Sequence, residues 1–502
     1  MRTAHRHAGK CGSFGEFLVS PSRRRGTRFT GFMMHVPFRL LRLGAWFASA
    51  LPLLCLTVQA ADDKLVVRNA ILFTLAAGQE KPFRGHFVVG ADGTIATLGP
   101  GEPAPDRVSG TTPVYDAGGR WILPGFISAH SHLWQSAYRG LAFNQTLMGW
   151  AEAVYQQNAI HADPSSFYWF TLHGALDHLR HGITSVYNFN YSMQSRPGPF
   201  DEEQFRAEAS SGVRFVHGYG VGRFGPAWSD AQATERMRAF MTWTQTQPGR
   251  ERLLSVMING SAAFVPGARQ TQGEAAVMNA LGVGNQVHFM ESPPDKYEER
   301  QRFRWFLDAG LVRKSVIFGH YVHTDPWMLS ETARLGASMS WNPLSNGRLA
   351  SGIVDIPAYL KAGVRIGMGV DGQASADRAD PFENMRMGLY LVRAKYEDAT
   401  VLSPYDVLRL HTVGGADVLG IADRAGSLEK GKWADFLVVD PTDFGPVFDP
   451  YASLVFVGSV RDVERIYVNG DLKVQSGRLI EHDFPAIRSE VARRVKAPAF
   501  AP

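Results

Sequence analysis

Cysteine is almost missing from this chain. Of 502 residues only Cys11 and Cys55 are cysteines, and both lie within the first 60 residues. The remaining 440 or so residues therefore form no disulfide among themselves, which excludes a disulfide-stapled fold. They also offer no thiolate, so any metal that they bind must be held by nitrogen and oxygen atoms.

An excess of charge of one sign is also missing once the first 60 residues are set aside. That segment holds nine of the 52 Lys and Arg residues and one of the 47 Asp and Glu residues, leaving 43 bases and 46 acids. The basic sequence pI of about 9.1 therefore reflects the leader alone. Because no basic excess covers the rest of the chain, we expect no nucleic-acid partner.

Only one long apolar run occurs, residues 43 to 58, with two arginines before it and a small residue after it. This order predicts a secretory signal peptide, cleaved after Ala60, and thus a periplasmic or secreted protein. A membrane anchor is the alternative. Pro52 within the run and the small residue at its end favour cleavage, which would leave no stable anchor. Met33 or Met34 is a candidate for the true start.

Short alternating strands separated by Gly, Asp and Pro fill residues 61 to 120, and the same texture returns over residues 425 to 480. This pattern is typical of β structure. We therefore predict a small β-sandwich domain built from both ends of the mature chain, followed by a C-terminal tail over residues 481 to 502.

Residues 121 to 424 alternate short apolar strands with longer amphipathic stretches, which predicts parallel βα units. Eight strands are predicted: 126–132, 183–190, 213–220, 253–259, 286–290, 315–321, 337–342 and 364–371. Eight such units over about 300 residues predict an α/β fold of the (β/α)₈ (TIM) barrel class.

Titratable side chains gather at the ends of these predicted strands. Along the chain they are His130 and His132, His288 and Glu291, His320 and His323, and Asp371 with Ser375 after it. The carboxyl ends of barrel strands carry the active site. Each residue alone could be an ordinary buried hydrogen-bonding group. Three histidines and an aspartate at one rim instead suit Zn²⁺ or Fe²⁺.

Several motifs at these positions resemble the amidohydrolase superfamily, in order and in spacing. They are Pro-Gly-Phe-Ile-Ser-Ala-His-Ser-His, Val-His-Phe-Met-Glu, Phe-Gly-His-Tyr-Val-His, Trp-Asn-Pro-Leu-Ser-Asn and Gly-Val-Asp-Gly-Gln-Ala-Ser. The branch that they resemble most is the deaminase and triazine-hydrolase (chlorohydrolase-like) group, and the likeness covers residues 62 to about 480.

The resemblance implies a ligand set for one divalent metal, zinc with iron as the alternative: His130, His132, His288 and Asp371. It further implies that Glu291 shuttles protons and that His320 polarises or orients the substrate. No lysine stands at a strand end to bridge two metals, so one ion per chain is expected.

A metal held by such ligands lowers the pKa of a bound water from about 15.7 towards 7. Asp371 could accept the proton of that water while Glu291 carries a proton to the leaving group. We therefore predict an aminohydrolase that cleaves a C–N bond of a small cyclic or aromatic compound. An amide, urea or triazine-type hydrolase and a catalytically silent binding barrel are the alternatives, and a homodimer is allowed.

Two departures from the family pattern bear on the substrate. Trp341 stands where a histidine usually precedes Asn-Pro, and Ala159 stands near the place of a glutamate that nucleoside-deaminating relatives use on ribose. We predict that flat, apolar or aromatic molecules stack on Trp341, that Ser375 and His323 also contact the substrate, and that ribonucleosides are poor substrates. Six other histidines are predicted to be structural: His161, His173, His178, His181, His217 and His411.

Overall fold

The computed structural model describes residues 63–495, apart from 109–110, 192–197, 223–227 and 266. The predicted signal peptide lies outside these residues, so its prediction stays open. Within the described part, none of the helices combines the length and the apolar character that crossing a membrane requires.

The described residues contain eighteen strands. The first five are β1 Leu65–Leu72, β2 Phe83–Val89, β3 Ile95–Pro100, β4 Val114–Asp116 and β5 Trp121–Pro124. The next nine are β6 Phe126–His132, β7 Ile183–Asn188, β8 Arg214–Gly220, β9 Leu253–Gly260, β10 Asn285–Phe289, β11 Val316–His320, β12 Ser338–Trp341, β13 Arg365–Met368 and β14 Asp371–Gly372. The last four are β15 Phe436–Val439, β16 Val463–Val468, β17 Asp471–Gln475 and β18 Arg478–Leu479.

Strands β6 to β14 form one parallel sheet, in which each strand from β6 to β12 pairs with the next along the chain and β14 pairs with β6. Only two residues separate β13 from β14, so these two pieces together form the single eighth barrel strand predicted from the sequence, and the barrel closes. The eight barrel strands are called staves one to eight, from β6 as stave one to β13 with β14 as stave eight. A Cβ at the intervening Gly369 would lie 2.8 Å from the backbone N and O of His130. Glycine therefore permits the close approach of the eighth stave to the first.

Fifteen helices occur among the described residues, and most of them alternate with the barrel strands along the chain. They are α1 Pro105–Val108, α2 Leu147–Ala151, α3 Pro164–Arg180, α4 Phe200–Ser211, α5 Asp230–Thr244, α6 Arg269–Leu281, α7 Lys296–Asp308, α8 Pro326–Arg334, α9 Pro343–Arg348, α10 Ile356–Ala362, α11 Pro381–Tyr396, α12 Pro404–Arg409, α13 Gly415–Val418, α14 Pro450–Ala452 and α15 Phe484–Arg494. Shorter 3₁₀ and π segments include Leu133–Tyr138, Glu152–Gln156, Ala159–His161 and Leu410–Gly414.

Several helices share one start signal, a capping side chain followed by proline. The capping oxygen accepts a backbone N–H of the first turn, and proline at the first helical position lacks an N–H that would go unpaired. The pairs are Asp163-Pro164, Asp325-Pro326, Asp380-Pro381, Ser403-Pro404 and Asp449-Pro450.

The remaining strands form a second, nine-stranded sheet with the order β18-β17-β16-β15-β5-β1-β2-β3, and β4 pairs with β1. This sheet curls on itself, since Phe87 of β2 lies edge-on against Phe436 of β15 with ring centroids 5.0 Å apart. The amide of Ile95 in β3 also donates to the carbonyl of Lys432, just before β15, at 2.8 Å. The curled sheet thereby encloses an apolar core of its own.

The predicted class, a barrel with a β domain drawn from both chain ends, is confirmed. Two details differ from the expected segments. β5, placed at the start of the barrel segment, pairs instead with β1 and β15 of the curled sheet. The predicted tail contains α15, whose Ile487 and Val491 are buried.

Candidate active site

The site begins at the carboxyl end of the first stave, where strand alternation turns His130 and His132 to one side. The Nε2 atoms of both imidazoles lie 3.2 Å from Oδ1 of Asp371 on β14. Nε2 of His288, on β10, lies 3.2 Å from Nε2 of His132. All four side chains are buried.

Hydrogen bonds on the far side of the rings fix which nitrogens face one another. Nδ1 of His130 lies 2.5 Å from Oε1 of Gln286, and Nδ1 of His132 lies 2.7 Å from the carbonyl oxygen of Phe189. Both of these oxygens only accept, so each Nδ1 carries a proton, and in a neutral imidazole the Nε2 atom is then an acceptor.

Acceptor atoms therefore meet without a donor between them. Nε2 of His130 and Oδ1 of Asp371 are buried and have no hydrogen-bond partner among the described residues. Buried polar atoms without partners are costly, and like lone pairs at 3.2 Å repel. A shared divalent cation removes both penalties, and the donor set of imidazole nitrogen and carboxylate oxygen suits zinc or iron. The residues thus fit a metal.

Several strand ends reach this point through unusual backbone conformations. Met290, His320, Tyr321 and Asp371 adopt left-handed φ angles of 59°, 64°, 49° and 57°. Such conformations cost about 1–3 kcal/mol each in non-glycine residues and cluster at functional sites. They turn the chain sharply where β10, β11 and β14 end, next to the histidines and the aspartate.

Glu291 and His320 stand beside the cluster with opposite electrostatic tendencies. Burial, and next the carboxylate of Asp371, raises the pKa of Glu291 well above its ordinary value. Burial lowers the pKa of His320 to about 3. Nδ1 of His320 lies 3.6 Å from Oε1 of Glu291 and 2.9 Å from the amide nitrogen of Asn346. Burial thus favours the protonated form of Glu291 and the neutral form of His320.

Comparisons with known proteins agree with this geometry. The sequence matches the amidohydrolase family over residues 121–473. The chain belongs to the amidohydrolase family.

Relatives of this amidohydrolase extend the match over nearly the whole described chain. A 5-methylthioadenosine/S-adenosylhomocysteine deaminase from Desulforudis audaxviator is 28% identical over 442 residues, covering 86% of this chain and 98% of the relative. A protein of the same name from Symbiobacterium thermophilum is 28% identical over 417 residues, covering 81% and 93%.

Solved structures show the same fold at lower identity. An adenosine deaminase from Xanthomonas campestris with bound zinc gives a TM-score of 0.73 at 24% identity, covering 86% of this chain and 97% of the other. A mutant of the atrazine chlorohydrolase from Arthrobacter aurescens, complexed with zinc and atraton, gives a TM-score of 0.75 at 21% identity, covering 86% of this chain and 99% of the other. The amidohydrolase described here is accordingly a metal-dependent hydrolase that acts on carbon–nitrogen bonds.

The residues predicted to contact the substrate do not all lie next to the cluster of histidines and Asp371. Ser375 is close, since its hydroxyl donates to Oδ2 of Asp371 at 2.8 Å and so holds that carboxylate. His323 is half-buried and hydrogen-bonded through Nε2 to the carbonyl of Ser351 at 2.7 Å, outside the cluster.

Trp341 does not line the site, which corrects the prediction that ligands stack on it. The side chain is 2% exposed and belongs to the apolar layer between strands and helices. A Cβ placed on Gly388 of α11 would lie 2.6 Å from the indole. Strand alternation explains the outcome, because Ser338 and Ser340 take the inner face of β12 and Trp341 the outer one.

An aromatic surface that the sequence analysis missed lies over the histidines instead. The ring of Tyr191 stacks on His132 at a centroid distance of 4.8 Å and on His288 at 5.5 Å. Tyr155 contacts Tyr191 edge-on at 5.1 Å and accepts a 2.7 Å hydrogen bond from Gln135. No local signal marks either tyrosine, because Tyr155 lies in the short π segment Glu152–Gln156 and Tyr191 in a loop, and only the fold brings them together.

The orienting groups were missed as well, although one of them left a signal. Gln286 precedes His288 by two residues on a predicted strand, so alternation places both on the inner face. Asn346 lies in a motif quoted for the resemblance. The carbonyl of Phe189 has no side-chain signature.

The six remaining histidines lie outside the cluster. His178 and His411 are buried with a pKa of about 4, and His173 has a similar value, in each case lowered first by burial. Their hydrogen-bond partners include the hydroxyls of Ser131 and Ser136 and the carbonyl of Ile127. These contacts support structural roles.

Proposed function

We propose that this amidohydrolase is an aminohydrolase that releases ammonia from a flat nitrogen heterocycle with the help of one zinc ion. The observation that carries the proposal is the convergence of bare acceptor atoms from His130, His132 and Asp371, with His288 beside them. Bound there, the metal would supply an activated water as nucleophile.

The side chains around that point divide the remaining chemistry. Glu291, whose pKa is raised by burial, is placed to give a proton to the nitrogen that leaves and to recover one afterwards. Neutral His320, held by Asn346, can donate a hydrogen bond to the substrate atom that gains negative charge. Asp371, oriented by Ser375, can accept a proton as the nucleophile attacks.

Tyr191 supports a flat substrate, because its ring presents an aromatic face next to the cluster. Ala159 is fully buried among aromatic side chains and offers no side-chain hydrogen bond to a ribose diol. We therefore keep the prediction that bases are preferred to ribonucleosides. The relatives named as 5-methylthioadenosine/S-adenosylhomocysteine deaminases make this the sharpest point to test.

A substrate panel decides between deamination and the other reactions of this class. Ammonia release is measured over aminopurines, aminopyrimidines, their ribonucleosides, triazines, and simple amides and ureas. Rapid ammonia release from a heterocyclic base supports the proposal. Turnover confined to triazines with another leaving group, or to amides or ureas, would replace it, and efficient turnover of adenosine would overturn the preference for bases.

Glu291→Gln tests the proton shuttle. Ammonia release should fall by about 10²–10⁴-fold, the range that general acid–base groups contribute, while metal content stays that of the wild type. Glu299→Gln is the matched control, since Glu299 is also buried, lies on α7, and accepts the amide of Met290. Equal activity losses in both variants would contradict the assigned role.

Three further proposals concern the protein as a whole. We propose one zinc per chain, which elemental analysis tests; two equivalents, or iron, would contradict it. We propose export with cleavage after Ala60, which N-terminal sequencing of the protein from its own host tests. A homodimer remains a prediction for light scattering.

A further inference from the structure

A second buried polar network lies behind the site, where staves two, three and four end. Its side chains are Asn188, Asn190, Asp201, Glu208, His217 and Asn259. His217 donates from Nδ1 to Oε2 of Glu208 at 2.7 Å, and both side chains are fully buried. Nothing in the proposed reaction uses these groups, so their presence needs a separate explanation.

The network holds the chain on both sides of Phe189. Before it, the amide of Asn188 donates to Oε1 of Glu208. After it, the amide of Asn190 lies 2.8 Å from Nε2 of His217 and 3.0 Å from Oδ1 of Asp201. The backbone of Phe189 is therefore clamped by its two neighbours, which leaves its carbonyl little freedom to turn.

That carbonyl is the group that accepts the Nδ1 proton of His132 at 2.7 Å. The network also reaches the first stave directly, because Oδ1 of Asn188 accepts the backbone N–H of Leu133 at 3.0 Å. Two separate links thus run from Glu208 to the residue that presents its Nε2 to the cluster. Partners that orient a ligating histidine fix its tautomer and typically change metal affinity about 10–100-fold when removed.

We propose that Glu208 and His217 are positioning residues, which fix the tautomer and the orientation of His132 through Asn188 and the Phe189 carbonyl. The inference rests on the metal site of the proposed function. It goes beyond that function by assigning a part of the metal affinity to a pair of side chains that touch neither metal nor substrate.

A structural role alone would not require this arrangement. A buried carboxylate and imidazole are costly to desolvate, and apolar side chains could fill the same space. Glu208 and His217 instead provide charged, directional hydrogen-bonding groups that hold the strand ending beside the site. The expected signature is a loss of metal affinity that exceeds what the loss of stability would cause.

The experiment measures Zn²⁺ affinity by chelator competition, together with the visible spectrum of the Co²⁺-substituted protein. Glu208→Gln and His217→Gln should each weaken Zn²⁺ binding by about tenfold or more and shift the Co²⁺ bands. Asn188→Ala is a milder variant, which keeps the Glu208–His217 pair and cuts the link to Leu133. It should show the same direction of change.

His411→Gln is the matched control. His411 is another fully buried histidine with two hydrogen-bond partners, the carbonyl of Ile127 at 3.1 Å and the amide of Asn384 at 3.2 Å. Its loss should lower thermal stability and leave Zn²⁺ affinity and the Co²⁺ spectrum unchanged.

The outcomes separate this inference from the proposed function. Variants that lose stability but keep wild-type Zn²⁺ affinity and Co²⁺ bands would overturn the positioning role, while a wild type that binds zinc and releases ammonia would keep the function. A wild type that binds no metal would overturn both. An equal loss of affinity in His411→Gln would also count against a specific role.

Discussion

The curled sheet and the rim of the barrel differ in the kind of side chain that each of them buries. In the sheet, apolar rings and branched side chains fill the interior, as where Phe436 stacks on Tyr467 with centroids 4.4 Å apart. At the rim, histidines and carboxylates are buried instead, some of their atoms lack partners, and the backbone takes left-handed turns.

The two regions therefore differ in how their buried side chains affect the stability of the fold. The sheet gains stability mainly from the burial of apolar side chains. The rim gives up stability by burying polar groups and strained backbone, and it gains a geometry that a cation can complete. Substitutions at the rim should therefore change metal content and rate more than folding, and substitutions in the sheet should do the reverse.

The largest effect is expected from Asp371→Asn. An amide has neither the charge that attracts a cation nor the basicity to accept a proton, so bound metal should be largely lost. Ammonia release should fall by at least about 10³-fold, since a general base alone contributes about 10²–10⁴. Elemental analysis and a rate assay check this, with thermal unfolding of metal-free protein as the control. Full metal content in the variant would contradict the expectation that substitutions at the rim change metal binding more than folding.

Phe436→Ala should have the reverse effect. Removing a fully buried phenylalanine costs about 3–5 kcal/mol of stability. The metal content and the rate per folded chain should stay at wild-type values, because the ring contacts Phe87 and Tyr467 and none of the cluster. Denaturant unfolding measures the loss. A parallel loss of metal would show that the sheet and the rim are coupled.

The sequence predicted the staves and the rim residues because both signals are local. Apolar runs of strand length mark the staves, and the residues that end them, such as His130 and Asp371, are adjacent in sequence to those runs. The barrel rule then brings the ends together without any knowledge of loops. The eighth stave is interrupted at residues 369 and 370, and its predicted span, 364–371, contains β13 and the first residue of β14.

Two kinds of feature were not predicted from the sequence. One is the direction in which a side chain at a strand end points, and the other is a contact between residues that are distant in the chain. Trp341 ends a stave as His320 does, yet it faces the helices, whereas the left-handed φ of His320 turns its side chain inward. Tyr155 and Tyr191 lie more than thirty residues apart in the chain and meet only in the fold. The Phe189 carbonyl acts through backbone atoms that every residue has. Neither kind of information is carried by a local pattern.

Tyr191→Ala, a second substitution at the rim, should have a smaller effect than Asp371→Asn. Loss of an aromatic face should weaken binding of a heteroaromatic ligand by about 3–10-fold, since stacking contributes about 0.5–1.5 kcal/mol. Tyr191→Phe keeps the ring and should bind nearly as well. Trp341→Phe is the matched control on the outer face of β12 and should lower stability only. Calorimetric titration would expose the opposite order, in which case Trp341 and not Tyr191 lies against the ligand.

The smallest effect is expected from Glu299→Gln, read as a change in how stability depends on pH. Burial raises the pKa of Glu299 from its ordinary value of 4.5 to about 8. Between these two values the folded protein keeps a proton that the unfolded chain releases, so the stability that Glu299 contributes is present below pH 4.5 and is lost as pH rises towards 8. Glutamine keeps the acceptor for the Met290 amide and does not ionise. The melting temperature of the variant relative to wild type should therefore rise between pH 5.5 and pH 8.5, by about 2 °C or more. Glu298→Gln, at an exposed neighbouring position, should show no such slope. If the two variants behave alike, Glu299 ionises normally and this part of the rim is better solvated than its burial indicates.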